Sequence, residues 1–99
     1  MTPLQIQAQI MPYFQHKPVL RAWLFGSQSM GTADENSDID ILVELDYSQH
    51  IGLGYVTMWM ELRELLGREV DLVSTDGLSP FIAPHIEKQK MLIYEREIR

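Results

Sequence analysis

Three short segments of this sequence combine residue types that suit phosphate and metal chemistry. Asp38 and Asp40 stand two positions apart, immediately before the apolar run 41–43. Gly26-Ser27 follows an earlier apolar run, and ten residues separate Ser27 from Asp38. A glycine turn lets backbone N–H groups approach phosphate oxygens, and a serine hydroxyl adds a further donor. The pattern therefore predicts a site for a divalent cation and a polyphosphate.

Asp38 and Asp40 lie close enough to repel each other if this part of the chain forms a strand. Side chains two positions apart share one face of a strand, with Cα atoms about 6–7 Å apart. Two negative charges at that distance repel by about 0.6 kcal/mol in water and by about 2.4 kcal/mol at an effective dielectric of about 20. A bound Mg²⁺, which typically takes one or two carboxylates with waters and phosphates, would remove this cost. The alternative interpretation is that Ser37 and Asp38 only form the turn before the strand.

Three other site chemistries do not match the sequence. The segment from Gly26 to Thr32 has the glycine spacing of a P-loop, but no lysine follows its second glycine. A calcium loop that begins at Asp34 or Asp38 would lack the glycine at its sixth position. The three histidines are scattered and show no metal-ligand spacing: His16, His50 and His85. The aspartates remain the candidate metal ligands.

The composition indicates a small globular protein. Its 99 residues suit one domain, residues 1–99, and the apolar fraction of 45% with 22% charged residues is ordinary. We expect a cytoplasmic protein with no membrane association, because no secretory signal is visible and no run approaches the roughly 20 apolar residues of a membrane span. The lack of cysteine agrees with this expectation. A net charge of −6 argues against direct binding to a nucleic-acid backbone.

Four short apolar runs predict strands: residues 19–25, 39–45, 70–73 and 91–94. In the second run, Ile39 and Ile41 point to one face, and Asp38 and Asp40 point to the other. The third run alternates in the same way, so Asp71 can lie on the same face of the sheet as Asp40. One face is therefore expected to be core, and the other to carry the carboxylates.

Three segments predict helices. Thr2-Pro3 is a typical cap and first residue of a helix, and Pro12 is expected to end or kink that helix. Residues 55–66 are apolar at helical spacing, and Gly67 follows them as a typical residue after a helix end. Ser79-Pro80 repeats the cap and proline pattern, so it predicts the start of a short third helix.

The helix predicted over residues 55–66 has an unusually wide apolar surface, which includes Tyr55, Met58, Trp59 and Met60. Trp, Tyr and Met are enriched in protein interfaces, so this surface is compatible with a protein partner. The alternative is that most of these side chains pack in the core, as in a central helix. The sequence leaves both interpretations open.

The sequence resembles a known family in a combination of four features: Gly26-Ser27, a spacing of ten residues, Asp38-x-Asp40 with its apolar strand, and the later segment 70–73. The family is the minimal nucleotidyltransferase (MNT) group of the polymerase-β-type nucleotidyltransferases. The resemblance covers nearly the whole chain, from Ala22 to Tyr94. It implies an α/β (α+β) nucleotidyltransferase fold, in which helices pack on one face of a small mixed sheet.

The resemblance also implies the chemistry of the site. Asp38 and Asp40 correspond to the ligands of the divalent metal ions, and Asp71 to the third carboxylate of the metal site, which helps to activate the acceptor hydroxyl. Gly26 and Ser27 correspond to the contacts to the nucleotide triphosphate. A hydroxyl would attack the α-phosphorus of ATP and pyrophosphate would leave, with two Mg²⁺ ions about 3.5–4 Å apart at the reacting oxygens.

One residue departs from the family pattern. Many relatives carry an arginine just before the second glycine of the loop, where this chain has Met30. Arg21, Arg63 and Arg68 are candidates to supply the missing positive charge, but the sequence does not place them. The departure leaves open whether the site is active.

The resemblance implies a separate partner, because we expect no second domain that could hold the acceptor. In this family the partner is commonly a small helical HEPN protein, which the MNT protein neutralises as an antitoxin, in some members by adding AMP to a tyrosine. The alternative is a catalytically weak or inactive binding module that neutralises its partner by complex formation. Whether the chain also forms a homo-oligomer is left open.

Overall fold

The computed structural model describes residues 1–34 and 36–97. The elements follow in chain order: α1 (Pro3–Phe14), β1 (Val19–Phe25), α2 (Ser27–Met30), β2 (Ile39–Leu45), α3 (Gly54–Leu66), β3 (Val70–Ser74), a 3₁₀ turn (Thr75–Gly77), α4 (Ala83–Gln89) and β4 (Met91–Glu95). All four predicted strands are present, and their ends lie within one residue of the prediction. Residues 98–99, at the end of the predicted domain 1–99, lie outside the described part of the chain.

The four strands form one mixed sheet in the order β3-β2-β1-β4. β1 runs antiparallel to both β2 and β4, whereas β2 and β3 run parallel. Parallel neighbours need a crossover connection, and α3 lies in the connection between β2 and β3. The predicted mixed sheet is therefore confirmed, and β3 forms one of its two edges.

The core lies between the sheet and the helices. α1 and α3 contribute six buried side chains to this core: Ile6, Ile10 and Phe14 of α1, and Met58, Leu62 and Leu66 of α3. Ile39, Ile41 and Val43 of β2 belong to the same core at alternate positions, as the strand period of two requires. Asp40 lies half-buried on the other face, where Leu42 is also buried. The prediction of one core face and one carboxylate face is confirmed.

α1 begins as predicted but does not end at its proline. The Thr2 hydroxyl accepts the backbone N–H of Gln5 at 3.2 Å, and the Gln5 side chain accepts the backbone N–H of Thr2 at 2.8 Å, which is a capping box. The helix continues through Pro12 to Phe14. Pro12 is exposed while Phe14 is fully buried, so core packing of the last turn outweighs the lost hydrogen bond.

The predicted start of the last helix at Ser79-Pro80 is wrong. The backbone carbonyl of Ser79 accepts the N–H groups of Ile82 at 3.0 Å and Ala83 at 2.9 Å in a turn, and α4 begins only at Ala83. If the helix began at Pro80, Pro84 would stand in its interior, where proline removes a backbone hydrogen bond. The later start places Pro84 in the first turn, where its missing N–H has no intrahelical partner to lose.

α3 ends as predicted, and its C-terminal turn leads directly into β3. Gly67 adopts the left-handed conformation with φ of 63°, and its N–H donates to the carbonyl of Arg63 at 2.9 Å. None of the helices within the described ranges is long and apolar enough to cross a membrane.

Candidate active site

β2 and β3 bring two of the predicted carboxylates together. Asp40 and Asp71 are register partners on these parallel strands, and neighbouring strands lie about 4.7–4.9 Å apart. Asp40 is half-buried, and Asp71 is exposed. Asp38 is exposed one residue before β2 begins, and its charge acts on Asp40. The three predicted carboxylates therefore border one region of the sheet face opposite α1 and α3.

Gly26 packs directly against Asp40. Phe25, the last residue of β1, is the register partner of Asp40, so the chain turns at Gly26 beside this carboxylate. Gly26 has φ of 68° and ψ of −145°, a combination that side chains strongly disfavour. A Cβ atom at this position would lie 2.2 Å from Oδ2 of Asp40. Two separate constraints therefore require glycine here.

The turn after Gly26 is a short helix. α2 is one turn long and lies between two glycines of positive φ, Gly26 and Gly31. The carbonyl of Gly26 accepts the hydroxyl of Ser29 at 3.0 Å and the N–H of Met30 at 3.2 Å. The half-buried Ser27 thus follows Gly26 at the start of an ordered turn, in the position predicted for a triphosphate contact.

Asp40 is electrostatically unfavourable in the protein alone. Burial is the largest cause that raises its pKa, from 3.8 to about 6, and the charges of Asp71 and Asp38 add to the effect. No hydrogen bond from residues 1–34 and 36–97 offsets these causes. A cation at this position would compensate the charge that the protein leaves uncompensated.

The donor chemistry fits a divalent cation that binds together with a nucleotide. Among the described residues, no group of three or more His, Cys, Asp or Glu side chains is arranged to hold a metal ion. Mg²⁺ needs only one or two carboxylates when substrate phosphates and waters complete its shell. Asp40, with Asp38 and Asp71 nearby, offers hard oxygen ligands of this kind. The residues therefore fit Mg²⁺ with bound nucleotide, but not a site that the protein forms alone.

Two of the arginines considered as sources of the positive charge missing at Met30 form ion pairs with glutamates. Arg21 pairs with Glu44 and with Glu95, each at 2.6 Å, across three neighbouring strands. Arg63 pairs with Glu69 at 2.6 Å. None of these ion pairs includes a predicted site carboxylate, so neither arginine replaces the missing contact in this conformation.

Arg68 holds the backbone that carries Asp38. Its guanidinium donates to the backbone carbonyl of Asp34 at 3.1 Å and also to that of Ser37. Both carbonyls belong to the segment between α2 and β2, and Arg68 itself stands between α3 and β3. From the sequence, Arg68 is a candidate to supply the positive charge that is missing at Met30. Its place in the structure is instead a tie between the segment before β2 and the start of β3.

Replacing Arg68 by Met should loosen this segment, because the aliphatic stem remains and both charged hydrogen bonds disappear. We expect the free energy of unfolding to fall by about 1–3 kcal/mol, and the rate of any reaction that uses Asp38 to fall with it. Lys88→Met, which also removes one exposed positive charge, is the control. Thermal unfolding and backbone amide exchange of residues 36–38 measure the effect, and equal results for the two variants would contradict the role of Arg68.

Gln28 is a polar residue near the site that the sequence analysis did not single out. It is 3% exposed, and its Nε2 has no hydrogen-bond partner among the described residues. A buried donor without a partner costs about 1–3 kcal/mol. Its only signal in the sequence was its position directly after Gly26-Ser27. The burial of Gln28 is therefore not explained by a contribution to the stability of the protein.

A cavity of about 610 Å³ opens beside Asp38, where the segment before β2 meets the end of α3. Arg63, Arg68 and Met60 also line it. Because it contacts one of the three candidate carboxylates and is rimmed by both signs of charge, this cavity has room and polarity for part of a substrate. Its lining does not include Gly26, Ser27, Asp40 or Asp71, so this cavity lies to one side of the carboxylate pair.

Part of the wide apolar surface of α3 packs against the core, and part of it is exposed. Met58 is buried in the core, and Tyr55 and Trp59 are half-buried against it. Met60 is 56% exposed and borders the cavity beside Asp38. Core packing is therefore correct for most of these side chains, and Met60 remains available for contact with another molecule.

The carboxylates and the glycine turn lie within a match to a known protein family. The family described as "Polymerase beta, Nucleotidyltransferase" matches residues 8–99. This chain belongs to that nucleotidyltransferase family. The resemblance stated from Gly26-Ser27 and Asp38-x-Asp40 is confirmed, and with it the nucleotidyltransferase fold and the assignment as an enzyme of this class.

Two relatives of this nucleotidyltransferase are named as protein adenylyltransferases. A Methanocaldococcus jannaschii protein named "Putative protein adenylyltransferase" is 37% identical over 82 residues, which cover 83% of this chain and 87% of the relative. The protein adenylyltransferase MntA of Thermococcus cleftensis is 34% identical over 70 residues, 71% of this chain and 70% of the relative. A solved toxin–antitoxin structure with AMP-PNP matches with a TM-score of 0.75 at 25% identity, over 92% of this chain and 74% of that one.

Proposed function

We propose that this nucleotidyltransferase uses Mg²⁺ to transfer AMP from ATP to a hydroxyl group of a partner protein. The observation that carries the proposal is the placement of Asp40 beside Asp71 on adjacent parallel strands, with the Gly26 turn against Asp40. A carboxylate cluster beside a glycine turn is the combination that metal-assisted chemistry on a triphosphate requires.

Each predicted site residue has a role in this reaction, and Asp71 has two. Asp38 and Asp40 would hold Mg²⁺, with Asp71 as the third carboxylate, and bound metal would supply charge stabilisation at the α-phosphate. The backbone of Gly26 and the hydroxyl of Ser27 would bind the triphosphate. The acceptor oxygen forms a bond to the α-phosphorus, the bond from that phosphorus to the bridging oxygen breaks, and pyrophosphate leaves. Asp71 takes the proton of the acceptor hydroxyl.

The acceptor in this proposal is a small helical protein of the HEPN class, for which this chain, as one domain, acts as antitoxin. The adenylyltransferase names of the relatives and the toxin–antitoxin structure with AMP-PNP support both the transferred group and the partner. The exposed Met60 beside the candidate site offers apolar surface to such a protein. The net charge of −6 suits a protein acceptor better than a nucleic acid.

Transfer can be tested directly with a purified HEPN-type protein as acceptor, ATP labelled at the α-phosphate, and Mg²⁺. The wild type should label the partner, and the double variant Asp38→Asn, Asp40→Asn should lose at least about 10³-fold in rate, because metal binding and nucleotide position are lost together. Glu87→Gln, which removes an exposed carboxylate on α4, is the matched control. No labelling by the wild type, together with no thermal stabilisation by Mg²⁺ and AMP-PNP, would contradict the proposal.

A second candidate function is neutralisation by complex formation alone. One observation favours it: Met30 is 58% exposed at the position where the family pattern implies an arginine. The double variant Asp38→Asn, Asp40→Asn separates the two candidates in a growth assay with the partner toxin. Full neutralisation by this variant supports complex formation, whereas its loss while the complex still forms supports transfer.

A further inference from the structure

Two aromatic side chains of α3 reach around the edge of the sheet and bind the backbone of β3. The indole Nε1 of Trp59 donates to the carbonyl of Val70 at 2.8 Å, and the hydroxyl of Tyr55 donates to the carbonyl of Leu72 at 2.6 Å. The two carbonyls belong to the residues immediately before and after Asp71. The backbone is therefore held from outside on both sides of this carboxylate.

The strand geometry explains why these carbonyls are available. The N–H of Ile39 donates to the carbonyl of Glu69 at 2.9 Å, so the carbonyl of Glu69 points toward β2. Carbonyl directions alternate along a strand, and those of Val70 and Leu72 therefore point away from β2. β3 is an edge strand, so no further strand of the described chain donates N–H groups to these carbonyls. Tyr55 and Trp59 take the place that a neighbouring strand would fill.

The same two side chains form the wall of a small cavity next to Asp71. The cavity has a volume of about 240 Å³ and is lined by Tyr55, Val56, Trp59, Asp71 and Leu72. Burial is the largest cause that raises the pKa of the Tyr55 hydroxyl, and the charge of Asp71 also contributes, which places this carboxylate near the ring. Tyr55 and Trp59 thus contact the strand and also face the space beside the Asp71 carboxylate.

We propose that Tyr55 and Trp59 are positioning residues that fix Asp71 in register beside Asp40. The inference rests on the proposed function, in which Asp71 takes the proton of the acceptor hydroxyl. An edge strand held on one side only can shift relative to its neighbour, and a displacement of about 1 Å at a reacting group can cost about 100-fold in rate. The two hydrogen bonds hold the strand on its other side, at the two peptide groups that flank Asp71.

Simple core packing does not account for this arrangement. The rings of Tyr55 and Trp59 are half-buried against the core, and packing requires their apolar surface but not their polar atoms. Tyr13 offers a direct comparison, because it is also half-buried against the core and its hydroxyl donates to Glu61 at 2.7 Å, far from β3. Tyr13→Phe therefore removes a similar hydrogen bond without affecting the edge strand.

The test compares Tyr55→Phe, Trp59→Phe and Tyr13→Phe in the full chain with its partner protein. We expect the first two to lower the rate at saturating ATP by about 10- to 100-fold with the KM for ATP changed less than twofold, because the nucleotide contacts lie at Gly26 and Ser27. Tyr13→Phe should change neither value more than twofold. An unchanged rate in Tyr55→Phe, or equal losses in Tyr55→Phe and Tyr13→Phe, overturns the proposal.

Backbone amide exchange provides a second measurement that does not depend on activity. The amide protons that link β2 and β3, including that of Ile39, should exchange at least about tenfold faster in Tyr55→Phe and Trp59→Phe, but not in Tyr13→Phe. If the wild type transfers no nucleotide, the proposed function fails, and the exchange rates still test the positioning role. Unchanged exchange of the Ile39 amide in Tyr55→Phe overturns that role.

Discussion

Gly26→Ala should abolish nucleotide transfer and destabilise the fold, whereas Gly31→Ala should only destabilise it. The Cβ atom at residue 26 would lie 2.2 Å from Oδ2 of Asp40, so the carboxylate or the turn must move. Gly31 has φ of 74°, and its Cβ would meet no atom within 4 Å. We expect a cost of about 1–2 kcal/mol at Gly31 from backbone conformation alone, and a larger cost at Gly26. Thermal unfolding and the transfer assay measure both variants.

The collision at Gly26 can be separated from backbone strain by a double-mutant cycle with Asp40→Ala. That substitution removes the carboxylate and leaves the Cβ atom of residue 40, which is 3.6 Å from the added Cβ and therefore in ordinary contact. In the Asp40→Ala background, Gly26→Ala should cost less free energy of unfolding than in the wild type, and the difference measures the collision. Equal costs in the two backgrounds would show that Gly26 is required by its backbone angles alone.

Asp40→Asn should stabilise the free protein at pH 8 while it abolishes transfer. Burial, with the charges of Asp71 and Asp38, raises the pKa of Asp40 from 3.8 to about 6, so the folded state binds this proton more tightly than the unfolded chain. The contribution of Asp40 to the free energy of unfolding is then largest below about pH 4, the pKa of the unfolded chain, and is lost as the pH rises through about 6. The neutral amide should recover part of this lost contribution at pH 8, reduced by solvent screening because Asp40 is only half-buried, and Tm should therefore rise.

Asp46→Asn provides a control of opposite sign. Hydrogen bonds from Ser48, Arg96 and Gln49 lower the pKa of Asp46, so its ionised form stabilises the folded state above the pKa of the unfolded chain. Asp46→Asn should therefore have a lower Tm than the wild type at pH 8, whereas Asp40→Asn should have a higher one. A fall in Tm for Asp40→Asn at pH 8, without metal or nucleotide, would show that the Asp40 charge is already compensated in the protein.

The sequence was sufficient to predict which face of the sheet carries the carboxylates. The period of a strand is two, so the buried positions Ile39 and Ile41 determine where Asp40 points, and the same rule applies to Asp71 between Val70 and Leu72. Their pairing across β2 and β3 required the structure, because register depends on how α3 connects the two strands. The assignment of metal, nucleotide and proton-transfer roles to these residues stays a prediction.

Tertiary contacts decide one helix boundary, and a local backbone effect decides another. Pro12 does not end α1, because Phe14 beyond it is buried, and the helix at Ser79-Pro80 begins later, because Pro84 would disrupt its interior. The contacts of Arg68 with distant backbone carbonyls follow no sequence period. Such contacts join segments far apart in the chain, so no local pattern could have predicted them.

The crossover between β2 and β3 has a consequence for folding. Asp40 and Asp71 become neighbours only after the whole α3 connection has closed, whereas the antiparallel pairing of β1 with β2 closes a shorter loop. Strands joined by a longer loop pair later, because the chain loses the entropy of closing the loop before the strands make their favourable contacts. The carboxylate pair should thus assemble after β1 has paired with β2. A newly synthesised chain would acquire its ligand affinity only when this crossover is complete, and ligand binding would then favour molecules in which β2 and β3 are paired.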